Sequence, residues 1–261
     1  MRWKPFIIGW TLALAALFFA QRYGPVAPPP QTLFSSVVDL THTVDPHAAS
    51  SQKTSAHFAG LITVDKDGFF EASARVPQRF ATSVEAPAAA VPGRWTVDQI
   101  PTDRLLGPLV VLDVASKAGG NSDYQVSLDD IALWEEVNGP VPPGAVVIAR
   151  TGWDARHDAR PHRYASWSPE AARFLVEART AYALGTDAPS LDRAASADLP
   201  VSHYLAEHDA YGLTNVANLS HAPHAGAVLV VAPARVHGSG SAPARVLALI
   251  RIPLDSAKPA L

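Results

Sequence analysis

Two short apolar runs with a capped helix between them constrain the fold of this chain more than any other feature. Residues 109–114 read LVVLDV and residues 146–150 read VVIAR. Runs this short and this apolar are typical of strands buried on both faces, which parallel sheets cover with helices. Between them, Ser127 and Asp130 have the spacing of a helix capping box, and Gly139 is typical of a helix end. A strand, a helix and a strand in this order predict a mixed α/β domain.

Similar patterns extend this alternation from residue 33 to about residue 254. Ser168 followed by Pro169 predicts a second helix start, and the apolar residues after it recur with helical spacing. An Asp67–Gly68 pair predicts the turn of a hairpin. We therefore expect one α/β domain over 33–254, followed by a C-terminal tail over 255–261. The other expected elements are strands at 35–42, 181–186, 227–232 and 245–252, a hairpin over 61–76 and a short helix at 200–209.

The composition excludes several functional classes. The 261 residues include 21 basic and 24 acidic side chains, so no basic excess is available to neutralise nucleic-acid phosphates. We expect no nucleic-acid partner. The chain has no cysteine, which excludes disulfides, thiolate metal sites and cysteine nucleophiles. With 48% apolar and 17% charged residues, it is expected to bury a substantial core.

The first 22 residues predict a signal anchor or a cleaved signal peptide. Arg2 and Lys4 precede an apolar run over 6–20. As a helix this run would span about 22 Å, less than the roughly 30 Å of a bilayer core, so a buried soluble helix is a third reading. Basic residues before the run favour a membrane-anchored protein with its domain on the periplasmic side, or an exported soluble domain after cleavage. Residues 23–32 are proline-rich and predict a semi-rigid linker.

Several sequence blocks along the domain carry a resemblance to a known family. They are DLTH at 39–42, GPLVVLDV at 107–114, VVIARTGWDAR at 146–156, EAARFLVEAR at 170–179, GTDAPSLD at 185–192, NVANL at 215–219 and GSGSAPAR at 238–245. In this order they resemble the cyclase family of metal-dependent hydrolases, which includes bacterial kynurenine formamidases and isatin hydrolases. The resemblance implies a swivelling β/β/α fold and a homodimer. It also implies a divalent metal, commonly zinc or manganese, that activates water to split an amide.

The family's signature, HxGTHxDxPxH, corresponds here to RFATSVEAPAA at 79–89, called the signature segment below. In the family, its first two histidines and its aspartate bind the metal, and its last histidine assists catalysis. A further family histidine and, twelve residues later, a glutamate precede the NVANL block. The residues at these six positions are Arg79, Ser83, Glu85, Ala89, Ser202 and Thr214; Thr82 matches the signature, and His203 lies one residue out of register.

These replacements predict a site that does not bind a metal. Only Glu85 is a good ligand for a hard cation. A fixed positive charge on Arg79 would repel a unit charge 4 Å away by about 4 kcal/mol at an effective dielectric near 20. The signature segment must also curl for its side chains to converge, because an extended chain would place i and i+6 about 20 Å apart. The family has glycine where this chain has Ala81, which favours loss of the curl together with the ligands.

We therefore expect a non-catalytic or binding homologue with no catalytic residue and no cofactor. Arg79 could pair with Glu85, or both could face solvent, and His42, Thr82 and His203 are possible neighbours of the pocket. The alternative is a divergent, arylformamidase-like hydrolase of amide bonds that still uses zinc or manganese. Two further readings remain open, a relocated metal centre among the ten histidines and a serine hydrolase using Ser83.

Overall fold

The computed structural model describes residues 34–45, 56–154 and 163–251. The apolar segment, the linker and the C-terminal tail predicted above lie outside these residues. Within the described ranges, no helix is both long enough and apolar enough to cross a membrane.

The domain is built on an eight-stranded, barrel-like sheet. Its strands are β1 (Phe34–Asp39), β4 (Ser83–Glu85), β5 (Leu106–Asp113), β7 (Val146–Arg150), β9 (Ala183–Thr186), β10 (Tyr211–Thr214), β11 (Ala227–Pro233) and β12 (Ser241–Arg251). Their order in the sheet is β1-β12-β11-β5-β7-β9-β10-β4, and β12 also pairs with β4, which closes the barrel. The four strands β5, β7, β9 and β10 run parallel to one another, and the remaining pairs of this sheet are antiparallel.

Helices cover one face of this sheet. The two predicted caps are confirmed: Ser127 Oγ accepts a hydrogen bond from the backbone N of Asp130, and Ser168 Oγ accepts one from the backbone N of Ala171. The helices are α1 (Val64–Asp67), α2 (Ala115–Gly120), α3 (Leu128–Asn138), α4 (Pro169–Glu177) and α5 (Pro200–Glu207), with 3₁₀ turns at Pro87–Ala89, Val97–Gln99, Thr102–Leu105 and Leu219–His221.

The parallel strands separate two apolar cores. Successive side chains of a strand point to opposite faces, so Leu109 and Val111 of β5 lie inside the barrel, whereas Val110 and Leu112 lie in the core shared with α3, α4 and α5. Ile148 of β7 is likewise fully buried. The prediction that these strands are buried on both faces, and that the domain is mixed α/β, is confirmed.

The predicted hairpin forms with different bounds. Its strands are β2 (His57–Ile62) and β3 (Glu71–Arg75), and the one-turn helix α1 connects them in place of a two-residue turn. Gly68 follows α1 with φ 77°, a left-handed conformation that glycine adopts without strain. Two further short strands, β6 (Gln125–Val126) and β8 (Ser166–Trp167), pair in parallel.

Candidate functional site

The signature segment enters the barrel through β4. This three-residue strand lies between β10 and β12, with Ser83 opposite Thr214 and Glu85 opposite Gly212 in the β10 register. Ser83 Oγ and Thr214 Oγ1 lie 3.1 Å apart, within hydrogen-bond distance, and both side chains are buried. Ser83 and Thr214, two of the six positions selected by the family resemblance, therefore lie side by side.

The curl of the signature segment is kept, so the expectation that Ala81 would abolish it is wrong. Ala81 adopts φ 55°, in the left-handed region that costs a residue with a Cβ about 1–2 kcal/mol. Two hydrogen bonds hold the curl: Asn215 Nδ2 donates to the carbonyl of Ala81 at 3.1 Å, and Thr82 Oγ1 donates to the carbonyl of Asn215 at 2.5 Å. These contacts compensate for the strain that glycine would have avoided.

An ion pair joins Arg79 and Glu85 at two of the positions that correspond to family metal ligands. Arg79 Nη2 contacts Glu85 Oε1, so the direct pair considered above is present. The Glu85 side chain is 11% exposed and that of Arg79 is 42% exposed, so the carboxylate is buried and the guanidinium faces partly outward. Burial raises the pKa of Glu85, while the charge and hydrogen bond of Arg79 oppose this rise and the nearby Asp192 adds to it.

Beside this pair lies a small recess, called the signature recess below. Its volume of about 20 Å³ is on the scale of one water molecule. Three of the predicted positions, Glu85, Ala89 and Ser202, line it, so the register chosen from the sequence brings them together. The other lining residues are Ala86, Pro87, Ala90, Leu191, Leu205, Ala206, Ala210 and Gly212.

The hydroxyl of Ser202 is committed to a buried carboxylate that sequence reasoning did not assign. Ser202 Oγ donates to Asp192 Oδ2 at 2.5 Å, and the same carboxylate accepts the backbone N–H groups of Val201 and Ser202. Asp192, nine positions before Val201 in the chain, therefore satisfies free N–H groups at the start of α5. The only sequence signal was its place at the end of the GTDAPSLD block.

A second unassigned carboxylate, Asp187, fixes the loop that follows β7. Its Oδ1 accepts from the backbone N and Oγ1 of Thr151, and its Oδ2 accepts from the backbone N of Gly152 and of Trp153. Burial raises the pKa of Asp187, against the effect of these hydrogen bonds. Trp153 lies edge-on to Tyr164, with ring centroids 5.6 Å apart.

His42 and Thr82 lie together, but on a different recess from Glu85. The backbone N–H of His42 donates to Thr82 Oγ1 at 2.9 Å, and both residues line an open recess of about 550 Å³, called the His42 recess below. His203, by contrast, is exposed on α5 and lines neither recess. The helical register carries Ser202 toward Asp192 and turns the next side chain outward, which corrects its assignment as a pocket neighbour.

His42 is also tied to the loop that Asp187 fixes. His42 Nε2 lies 3.1 Å from Asp154 Oδ1, and Asp154 Oδ2 accepts the backbone N–H of Asn218 at 2.7 Å. The hydrogen bond from His42 lowers the pKa of Asp154, against the effect of burial. This His–Asp contact was not predicted from the sequence, because the two residues are 112 positions apart in the chain.

The residues at the family's metal positions do not fit a divalent cation. Across the described residues, no three or more His, Asp or Glu side chains are arranged to hold a metal ion. The one carboxylate of the six positions, Glu85, is already paired with a guanidinium. The remaining groups are hydroxyls bonded within the protein and the methyl group of Ala89.

Comparisons with known proteins agree with this architecture. The family model Cyclase, described as "Putative cyclase", matches residues 38–193. An isatin hydrolase from Roseibium aggregatum is 26% identical over 244 residues, covering 82% of this chain and 91% of that protein. A kynurenine formamidase from Salinibacter ruber is 25% identical over 215 residues, covering 81% of this chain and 96% of that protein.

A solved structure shows the same relationship in three dimensions. Isatin hydrolase A from Labrenzia aggregata, bound to benzyl benzoate, superposes with a TM-score of 0.77 at 28% identity, covering 92% of this chain and all of that one. The family model matches more than half of the residues of this chain, and the chain therefore belongs to the cyclase family.

Proposed function

We propose that this chain is a cyclase-family protein that has lost metal-dependent amide hydrolysis and acts as a non-catalytic, binding homologue. The observation that carries the proposal is the ion pair between Arg79 and Glu85 in the signature segment. It places a permanent positive charge on a side chain where the family resemblance implies a metal-binding histidine.

Electrostatics makes this replacement hard to reconcile with a bound divalent ion. A divalent ion 4 Å from the Arg79 guanidinium would be repelled by about 8 kcal/mol, twice the value for two unit charges at an effective dielectric near 20. Binding would also have to break the ion pair with Glu85, whose side chain is only 11% exposed. The neutral hydroxyls of Ser83 and Thr214 are weak ligands and cannot offset these costs.

The group expected to assist catalysis is missing as well. Ala89 stands at the position of the family's last histidine and has no proton to give or to take. The backbone just before β12 is also close: a Cβ added at Gly240 would lie 3.0 Å from Ala89 Cα. A larger side chain at position 89 therefore has little room toward Gly240 in the present packing.

The protein is proposed to act outside the cytoplasm, anchored in the membrane or released after cleavage. Support comes from Arg2 and Lys4 before the apolar run at 6–20. Membrane fractionation followed by intact-mass spectrometry tests this location.

A homodimer is proposed from the family resemblance alone. Light scattering of the purified full chain tests this oligomeric state.

Turnover assays test the loss of hydrolysis. The purified full chain is incubated with isatin or N-formylkynurenine, without metal and with zinc or manganese, beside the Roseibium aggregatum isatin hydrolase as a positive control. We expect no turnover above the buffer rate. Metal-dependent turnover that disappears in Glu85→Ala would overturn the proposal and support the alternative, a divergent metal-dependent hydrolase of amide bonds.

A further inference from the structure

The His42 recess is a candidate ligand site at a different place from the signature recess. Its volume of about 550 Å³ falls within the range of roughly 300–1,000 Å³ typical of small-molecule sites. The signature recess, at about 20 Å³, admits no such ligand. The lining residues of the His42 recess are Asp39, Thr41, His42, Thr43, Val44, Thr82, Ala232, Pro233, Ala234, Pro243, Ala244 and Arg245.

Asp154 contacts one ring nitrogen of His42 and so sets the tautomer of the neutral imidazole. Its backbone is fixed by Thr82, and its Nε2 lies 3.1 Å from Asp154 Oδ1. When the imidazole is neutral, the carboxylate places the proton on Nε2 and leaves a lone pair on Nδ1. Within the described residues, Nδ1 has no hydrogen-bond partner. His42 therefore offers a hydrogen-bond acceptor whose tautomer is set by Asp154.

The other charged residues that line the His42 recess, Asp39 and Arg245, are paired with each other. Arg245 Nε and Nη2 donate to the two carboxylate oxygens of Asp39 at 3.1 and 2.6 Å, so these opposite charges cancel locally. Thr41 Oγ1 donates to the carbonyl of Val246, and Thr82 Oγ1 donates to the carbonyl of Asn215. Most of the other lining side chains are alanine, proline and valine.

We propose that the His42 recess binds an uncharged small molecule that has an apolar body and one O–H or N–H donor, which His42 Nδ1 accepts. The apolar wall buries the body of the ligand, and the donor fixes its orientation. This proposal rests on the proposed binding function and assigns it to a site other than the signature recess.

A matched pair of probes isolates this hydrogen bond. Binding of 2-naphthol and of 2-methoxynaphthalene to the full chain is measured by titration, while the ¹⁵N resonances of the histidine side chains are recorded. We expect 2-naphthol to bind about three- to tenfold tighter, the range of one ordinary hydrogen bond, and to shift the Nδ1 resonance of His42. Equal affinities, or no binding of either probe, would overturn the proposal.

Variants separate the acceptor from general hydrophobic binding. His42→Phe keeps a ring but removes the acceptor, so the preference for 2-naphthol should vanish. His203→Phe, at an exposed position of α5, should retain the preference. A preference that survives in a folded His42→Phe protein would contradict the assignment.

Asp154→Asn tests the tautomer without removing the ring. Because Asp154 Oδ2 accepts the backbone N–H of Asn218, asparagine is expected to keep its oxygen there and direct its NH₂ at His42 Nε2. The proton then moves to Nδ1, and the preference for 2-naphthol should be lost. An unchanged preference would overturn the role of Asp154. Isatin turnover, assayed separately, bears on the proposed function and leaves the outcome of these titrations unaffected.

Discussion

Removing Arg79 should cost much more stability than neutralising its partner, and the cost should depend on pH. Arg79→Met keeps the aliphatic stem but leaves the Glu85 carboxyl buried without the guanidinium. The pKa of Glu85 is already raised by burial. The Arg79→Met variant must therefore either keep the Glu85 carboxyl protonated or admit water that solvates the carboxylate. Glu85→Gln removes the buried charge instead, and the partly exposed guanidinium can be solvated.

The magnitude follows from the cost of protonating Glu85. Against its ordinary pKa of 4.5, full protonation costs at most about 5 kcal/mol at pH 8 and about 0.7 kcal/mol at pH 5. Water entering the space left by the guanidinium reduces the cost at pH 8, so we expect Arg79→Met to lower the free energy of unfolding by about 2–3 kcal/mol at that pH. Glu85→Gln should lower it by no more than about 1 kcal/mol at either pH.

The sign of the pH dependence is fixed by the direction of the pKa shift. A carboxyl whose pKa is raised on folding stabilises the folded state most at low pH, and this contribution is lost as the pH rises toward the folded pKa. Urea unfolding at pH 5 and pH 8, followed by tryptophan fluorescence, measures both variants. Arg245→Met, which removes an exposed pair with Asp39, is the matched control and should lose less than about 1 kcal/mol. A pH-independent loss, or a larger loss for Glu85→Gln than for Arg79→Met, would refute the reasoning.

Three further substitutions test contacts elsewhere in the domain. Ala81→Gly should stabilise the fold by about 0.5–1 kcal/mol in thermal unfolding, because relief of the left-handed strain exceeds the added entropy of the unfolded chain. A loss of stability would contradict this. Asp187→Asn should lower the free energy of unfolding by about 2–3 kcal/mol, since an amide NH₂ cannot accept from the Gly152 and Trp153 N–H groups. Hydrogen exchange of those two amides should accelerate, and unchanged exchange would refute the positioning role of Asp187. Glu135→Gln should lose about 1–2 kcal/mol at pH 7, because Arg179 makes two hydrogen bonds to Glu135 and lowers its pKa. That difference should shrink as the pH falls through the lowered pKa, and one that grows instead would be inconsistent with the assignment.

The sequence predicted the parts of the fold that depend on local patterns. The buried runs in β5 and β7 and the caps at Ser127 and Ser168 required only neighbouring residues to be recognised. The strands β4 and β10, with three and four residues, were not predicted. They exist because distant segments supply their partners, as in the pairing of β4 with β12, which no local pattern encodes.

The candidate site divides in the same way. Alignment to the family selected six positions, and the structure places Ser83 opposite Thr214 and places Glu85, Ala89 and Ser202 around one recess. It could not identify the roles of Asp187 and Asp192, because these roles depend on how the loop after β7 and the start of α5 fold onto the two carboxylates. The curl at Ala81 was missed because hydrogen bonds from Asn215 and Thr82 outweigh the preference of alanine for negative φ.

Metal analysis of the full chain tests the central claim most directly. The protein is purified without added metal or chelator, and its zinc and manganese contents are measured by mass spectrometry beside those of Glu85→Ala. The account predicts that the metal content is far below one equivalent per chain and is equal in both proteins, because Arg79 is already paired with the Glu85 carboxylate. One equivalent of tightly held zinc or manganese that is lost in Glu85→Ala would contradict it.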